Sequence, residues 1–80
     1  MDVCWVLTRM AMNEAGDYEG AEVLQACRGY RHARETLEVF TRGREALFDN
    51  HEHDDDGVLT EYSVTFAEGD TYTMTRTRLT

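Results

Sequence analysis

No lysine occurs in this 80-residue chain; its eight basic residues are all arginine, set against sixteen aspartates and glutamates for a formal charge of −8. That balance excludes direct binding of nucleic acid through its phosphates, which needs the opposite sign. No apolar run approaches the ~18–20 residues of a membrane span, so no membrane partner is expected. The opening MDVCWVLTRM has Asp2 where a signal peptide carries positive charge, and its apolar run stops at Thr8. A cytoplasmic protein is the expectation. Cysteine is scarce too. Cys4 and Cys27, with no CxxC pair and no histidine close by in sequence, make no disulfide framework and read as small buried hydrophobes.

Catalytic patterns are missing as well. No Ser/His/Asp or Cys/His spacing stands out, and no glycine-rich loop cradles a phosphate. No enzymatic activity and no cofactor is therefore expected. His32, near the start of a predicted helix among arginines, reads as a surface histidine. The stretch DNHEHDDDG, residues 49–57, is the one that invites a metal. Its histidines, His51 and His53, lie two apart, not at the i, i+4 spacing of a helical zinc pair. Aligning Gly57 with the glycine of a calcium loop puts Glu52, Asp54 and Asp56 at positions 1, 3 and 5. Position 1 should be aspartate, and position 12 falls on Ser63 where a bidentate glutamate is needed. A solvated acidic loop without a metal site fits better.

What is present suffices for one domain over residues 1–80, since 41% of the chain is hydrophobic and a core of this size must take in nearly every large apolar side chain. Val3–Met12 lacks glycine and proline and is rich in branched and aromatic residues, which predicts a strand. NEAGDYEG, residues 13–20, is turn chemistry, and Ala21–Arg28 predicts a second strand paired with the first. Ala33, Leu37, Phe40 and Leu47 share one face at helical spacing, so a helix is expected over about 31–49, with a bend or fraying at Gly43. Farther on, Tyr62, Val64 and Phe66 alternate with polar residues, as do Tyr72 and Met74. A three-residue loop Glu68–Asp70 would oppose Phe66 to Tyr72 and Val64 to Met74, placing all four inside and a row of threonines outside. The fold class expected is α+β: a four-stranded antiparallel sheet with one helix packed on it, in the order β-β-α-β-β. The expected core is Trp5, Leu7, Leu24, Leu37, Phe40, Leu47, Val64, Phe66, Tyr72 and Met74.

On that topology the acidic segments should converge. Residues 13–22 carry −4 (Glu14, Asp17, Glu19, Glu22) and residues 45–61 carry −7 (Glu45, Asp49, Glu52, Asp54, Asp55, Asp56, Glu61). A hairpin followed by a long helix would bring both to one end as a pole of about eleven carboxylates. The helix would also open on Arg31 and Arg34 and close on Glu45 and Asp49, the wrong sign at both ends for its dipole. Glu14, Asp17, Glu19, Glu22, Glu45, Asp49, Glu52, Asp54, Asp55 and Asp56 are thus the candidate partner-binding residues.

A small acidic chain of this kind, in its size, charge and lack of an active site, resembles the phage- and plasmid-borne inhibitors that mimic DNA, anti-CRISPR and anti-restriction proteins among them. The resemblance implies a basic nucleic-acid-binding protein or complex as partner; it is carried by no motif and assigns no residue a role. A homodimer is compatible with it. The alternative is an acidic protein-interaction domain whose charge reflects a salt-loving or GC-rich origin.

Overall fold

The computed structural model describes residues 2–12, 15 and 17–79, apart from the side chains of Asp2, Met12, Tyr18, Glu19 and Leu79. Its elements are β1 (Asp2–Met12), β2 (Tyr18–Cys27), α1 (Tyr30–Thr41), β3 (Ala46–His53), β4 (Leu59–Phe66) and β5 (Thr71–Leu79). The strands form one antiparallel sheet in the order β2-β1-β5-β4-β3. The four-stranded expectation is corrected: the sheet has five strands, and the extra one is an edge strand.

That strand comes out of the segment predicted to be helical. α1 stops at Thr41, twelve residues long, rather than running to about residue 49. The reason is local. Arg42 (φ −57°, ψ 130°) and Gly43 (φ +78°) take the two central positions of a turn closed by the Arg44 amide donating to the Thr41 carbonyl at 3.1 Å. These are type II turn angles, which need φ > 0 at the third residue and hence glycine there. Beyond the turn, Leu47 and Phe48 enter a strand instead of another helical turn.

α1 packs on one face of the sheet, over β1 and β2. The core lies between them: Trp5, Leu7, Cys27, Ala33, Leu37, Tyr62, Val64, Phe66, Tyr72 and Met74. Leu24 joins from the side of β2, where a bulge sets it between Val23 and Gln25, the partners of Thr8 and Leu7. An extra residue in one strand turns its neighbours about, which is how an even-numbered side chain reaches the face that Cys27 occupies. Two expected core residues are outside: Phe40 is 44% exposed on α1 and Leu47 58% exposed on β3. Helical spacing had placed both on the buried face, but Leu47 is not helical, and α1 buries only its Ala33–Leu37 line. Cys4 and Cys27 are both free and buried. They sit on opposite faces of the sheet, because Cys27 pairs with Trp5, the residue after Cys4.

The last hairpin keeps its predicted faces at a different register. Val64 pairs with Tyr72 and Tyr62 with Met74. The Phe66 amide donates to the Asp70 carbonyl at 3.0 Å, closing a three-residue loop over Ala67–Gly69 with Gly69 at φ +94°. The loop length is as expected and its position is one residue earlier. Side chains alternate with period two, so a register shift of two leaves every face as it was.

Candidate functional site

The directions of the strands decide what the acidic residues can do together. β1 rises from Asp2 to Met12, β5 descends beside it, β4 rises, and β3 descends from Ala46 to His53. The β1–β2 connection therefore lies at one end of the sheet and the Asp54–Val58 turn at the other. They also lie towards opposite edges, three strand spacings or about 14 Å apart across the sheet. The convergent pole of eleven carboxylates does not form. The premise that failed was the helix: ending at Thr41, it delivers the chain to the far end early, and β3 carries the acidic segment back down.

Of the ten candidate residues, Glu14 and the side chain of Glu19 lie outside the described residues. Asp17 is exposed in the β1–β2 connection, and Glu22 is exposed on β2 opposite Arg9. Glu45 is exposed just before β3, and its carbonyl accepts from the Ala67 amide at 3.0 Å. Only Asp49, Glu52, Asp54, Asp55 and Asp56 are gathered, along the β3 edge and its turn. Glu45 and Asp49 do not close the helix, so the dipole conflict remains only at its start, where Arg31 reaches Glu35 at 3.4 Å in full solvent.

β3 is the edge of the sheet, and all eight of its residues are exposed. It is held from the helix side by a polar cluster that the sequence pattern did not suggest. Tyr62, buried on β4, donates its hydroxyl to Asp49 Oδ2 at 3.2 Å. The His51 ring lies 4.5 Å from the Tyr62 ring, and the Arg34 guanidinium sits 4.4 Å above it from α1. Arg34, Tyr62 and Asp49 thus tie helix, sheet and edge strand together. The signal for it was slight: a tyrosine where the strand alternation calls for a core residue needs a polar partner for its hydroxyl.

Below β3 the chain turns on Asp54. Its Oδ1 accepts from the Asp56 and Val58 amides, each at 2.9 Å, and its Oδ2 takes Arg76 Nη2 at 3.3 Å. Gly57, at φ +80°, completes the turn. Those amide bonds, from Val58 foremost, and the arginine hold the Asp54 carboxyl below the usual carboxylate range. Asp54 is a turn-former by geometry, whereas Glu52, Asp55 and Asp56 are exposed and make no ion pair among the described residues. Among the described residues no three histidine, cysteine, aspartate or glutamate side chains gather in a metal-holding arrangement.

At the opposite end lies the one buried charge among the described residues. Asp70 is 4% exposed. Arg9 Nε donates to its Oδ2 at 3.2 Å and Arg44 Nη2 to its Oδ1. Arg44 also donates to Glu68 and to the Tyr72 hydroxyl, and lies 4.7 Å over the Phe66 ring. The earlier loop position is what turns Asp70 inward. Arg44 above all, then Arg9, holds its carboxyl below the usual range. Every group here is satisfied by another, so the cluster locks β1, the α1–β3 connection and the β4–β5 hairpin together.

The chain matches no family model, no curated protein and no solved structure. Among the described residues no helix is long and apolar enough to cross a membrane.

Proposed function

We propose that this chain is a small non-enzymatic binding protein of the cytoplasm that sets its acidic edge against the basic groove of a nucleic-acid-binding protein, in the manner of inhibitors that imitate DNA. The observation that carries the reading is the β3 edge. A fully exposed strand and its turn hold Asp49, Glu52, Asp55 and Asp56, while residues 46–58 contain no arginine. A strand spaces its charges at fixed intervals and is anchored here by Tyr62 and Arg34. Carboxylates on an anchored strand and its hydrogen-bonded turn, Asp49 on the helix-side face and Glu52 on the other, lose less freedom on docking than those of an unanchored loop of the same charge. Its unpaired backbone groups can also accept a partner's strand. The acids on β2, far across the sheet, are outside such a footprint, which revises the candidate set to the β3 side.

The experiment uses the chain immobilised, with host lysate passed over it at low and high salt. A nucleic-acid-binding protein should be retained at low salt, be released by added duplex DNA, and fail to bind an E52Q/D55N/D56N chain, because exposed charges are screened over ~8 Å at physiological salt. Retention that survives both DNA competition and the triple substitution would assign the acidity to surface composition.

A further inference from the structure

The sheet face away from α1 carries three cross-strand rows. They run Ala21–Met10–Thr71–Thr65–Phe48, then Val23–Thr8–Thr73–Ser63–Asn50, then Ala26–Val6–Thr75–Glu61–Glu52. Among the described residues no second layer packs on them. In a chain whose residues are 30% charged, this face has two charges, Glu52 and Glu61, both at the β3 corner. Four of the six hydroxyls in these rows make hydrogen bonds within the face. Thr65 and Thr71 share a hydrogen bond of 3.0 Å, Thr8 donates to the Thr73 carbonyl at 3.4 Å, and Thr75 donates to Glu61 at 3.5 Å. Covering those four hydroxyls leaves none of them unsatisfied, because each keeps its partner within the face.

We infer that this face is the interface of a homodimer, two sheets stacked face to face. The molecule is more open than a self-contained globule of its mass. It exposes 5574 Å², against about 4,900 Å² for a folded monomer of this size. Its radius of gyration is 13.1 Å, against about 11.6 Å for a compact chain. The excess of roughly 650 Å² matches the face itself, since five strands at ~4.8 Å spacing and about seven residues long cover roughly 500 Å². Two copies would bury about 1,000 Å², the lower bound of a specific interface.

The occupant is a second copy because the face complements itself. A two-fold axis along β5, the central strand, lays each copy's β3 over the other's β2. Glu52 then lies over the other copy's Ala26 and Glu61 over its Val6, both uncharged, and like charges stay apart. Strands stacked this way are nearly aligned, the common packing of two sheets. Each copy's Asp49, on the helix-side face, and Asp55 and Asp56, in the turn, are left at opposite sides of the dimer, outside the stacked faces.

Sedimentation of the intact chain from ~1 to ~300 µM tests this. The mass should rise from that of one chain, 9.2 kDa, towards twice that, with a dissociation constant on the order of 10 µM and little dependence on salt. Thr73→Arg, at the centre of the face, should weaken association at least tenfold while circular dichroism shows the fold retained. Peroxide oxidation of the wild-type chain needs no variant. Met10, on the face, should be protected at the high concentration relative to the low, with Met74 in the core slow at both. A chain monomeric throughout this range, a dimer unaffected by a folded Thr73→Arg protein, or Met10 oxidised equally fast at both concentrations would overturn the assignment.

Discussion

Asp70 concentrates the energetics of this small molecule in one side chain. It is buried, yet it faces two arginines that keep part of their surface in water, Arg9 and Arg44, at 39% and 24% side-chain exposure. Asp70→Asn preserves its volume and leaves both guanidinium groups without their shared counter-charge. Breaking a fully buried pair costs about 3–5 kcal/mol. With the arginines half solvated the expected loss is about 2–3 kcal/mol, read from urea unfolding. That is a large share of the ~4–12 kcal/mol available to 80 residues. The same residue sets the acid limb. The carboxyls of Asp70 and Asp54 sit below their ordinary range in the folded chain, so the unfolded chain binds protons first as pH falls. Their contribution is present in full above the unfolded value near 4 and is lost as pH drops through the folded values. Melting temperature should stay level from pH 7 to about 5 and fall below about 4. The Asp70→Asn chain, already weaker, should fall less steeply over that interval.

Gly43 is where an element boundary was visible yet misread. A glycine within a helical pattern costs about 1 kcal/mol against alanine, which suggests a bend; its φ of +78° in a type II turn shows a full stop. Gly43→Ala should therefore destabilise the chain by about 1 kcal/mol, since a Cβ is strained in that region. If it stabilised, the helix would run on. The strands of the C-terminal hairpin were legible because alternation of Tyr62, Val64, Phe66, Tyr72 and Met74 fixes a face whatever the register. β3 was not legible. ALFDNHEH buries neither face, so it shows no period of two, and Leu47 happens to fall on a helical spacing from Ala33, Leu37 and Phe40. Paired truncations separate the two cases. Phe66→Ala should cost about 3–5 kcal/mol and Phe40→Ala about 1 kcal/mol or less, from the same unfolding measurement. The candidate site was legible only in part, as composition. Which carboxylates share an edge depends on the end at which β3 begins, and that rests on where the helix stops.

Across the whole molecule, a charge of −8 is divided between two diagonally opposite regions instead of being gathered at one pole. This division limits self-repulsion, but the β3 side still holds Asp49, Glu52, Asp55, Asp56 and Glu61 within one strand, its turn and its neighbour, with Arg76 engaged by Asp54. Screening should relieve such crowding, whereas the buried Asp70 cluster is little affected by salt. Melting temperature should accordingly rise on going from ~0.01 M to ~0.5 M sodium chloride. A gain on the order of 0.5–1 kcal/mol corresponds to a few degrees in a domain of this size. The three carboxylates without partners should account for much of it, so the E52Q/D55N/D56N chain should start higher and respond less to salt. Asp54→Asn should do the opposite and lower the melting temperature. It removes the anion that two amides and Arg76 share, and relieves little repulsion because its charge is already matched. A melting temperature that falls with salt would mean that attractive ion pairs outweigh repulsion along the edge. Glu52, Asp55 and Asp56 would then be engaged within the fold, and the row offered to a partner would not exist.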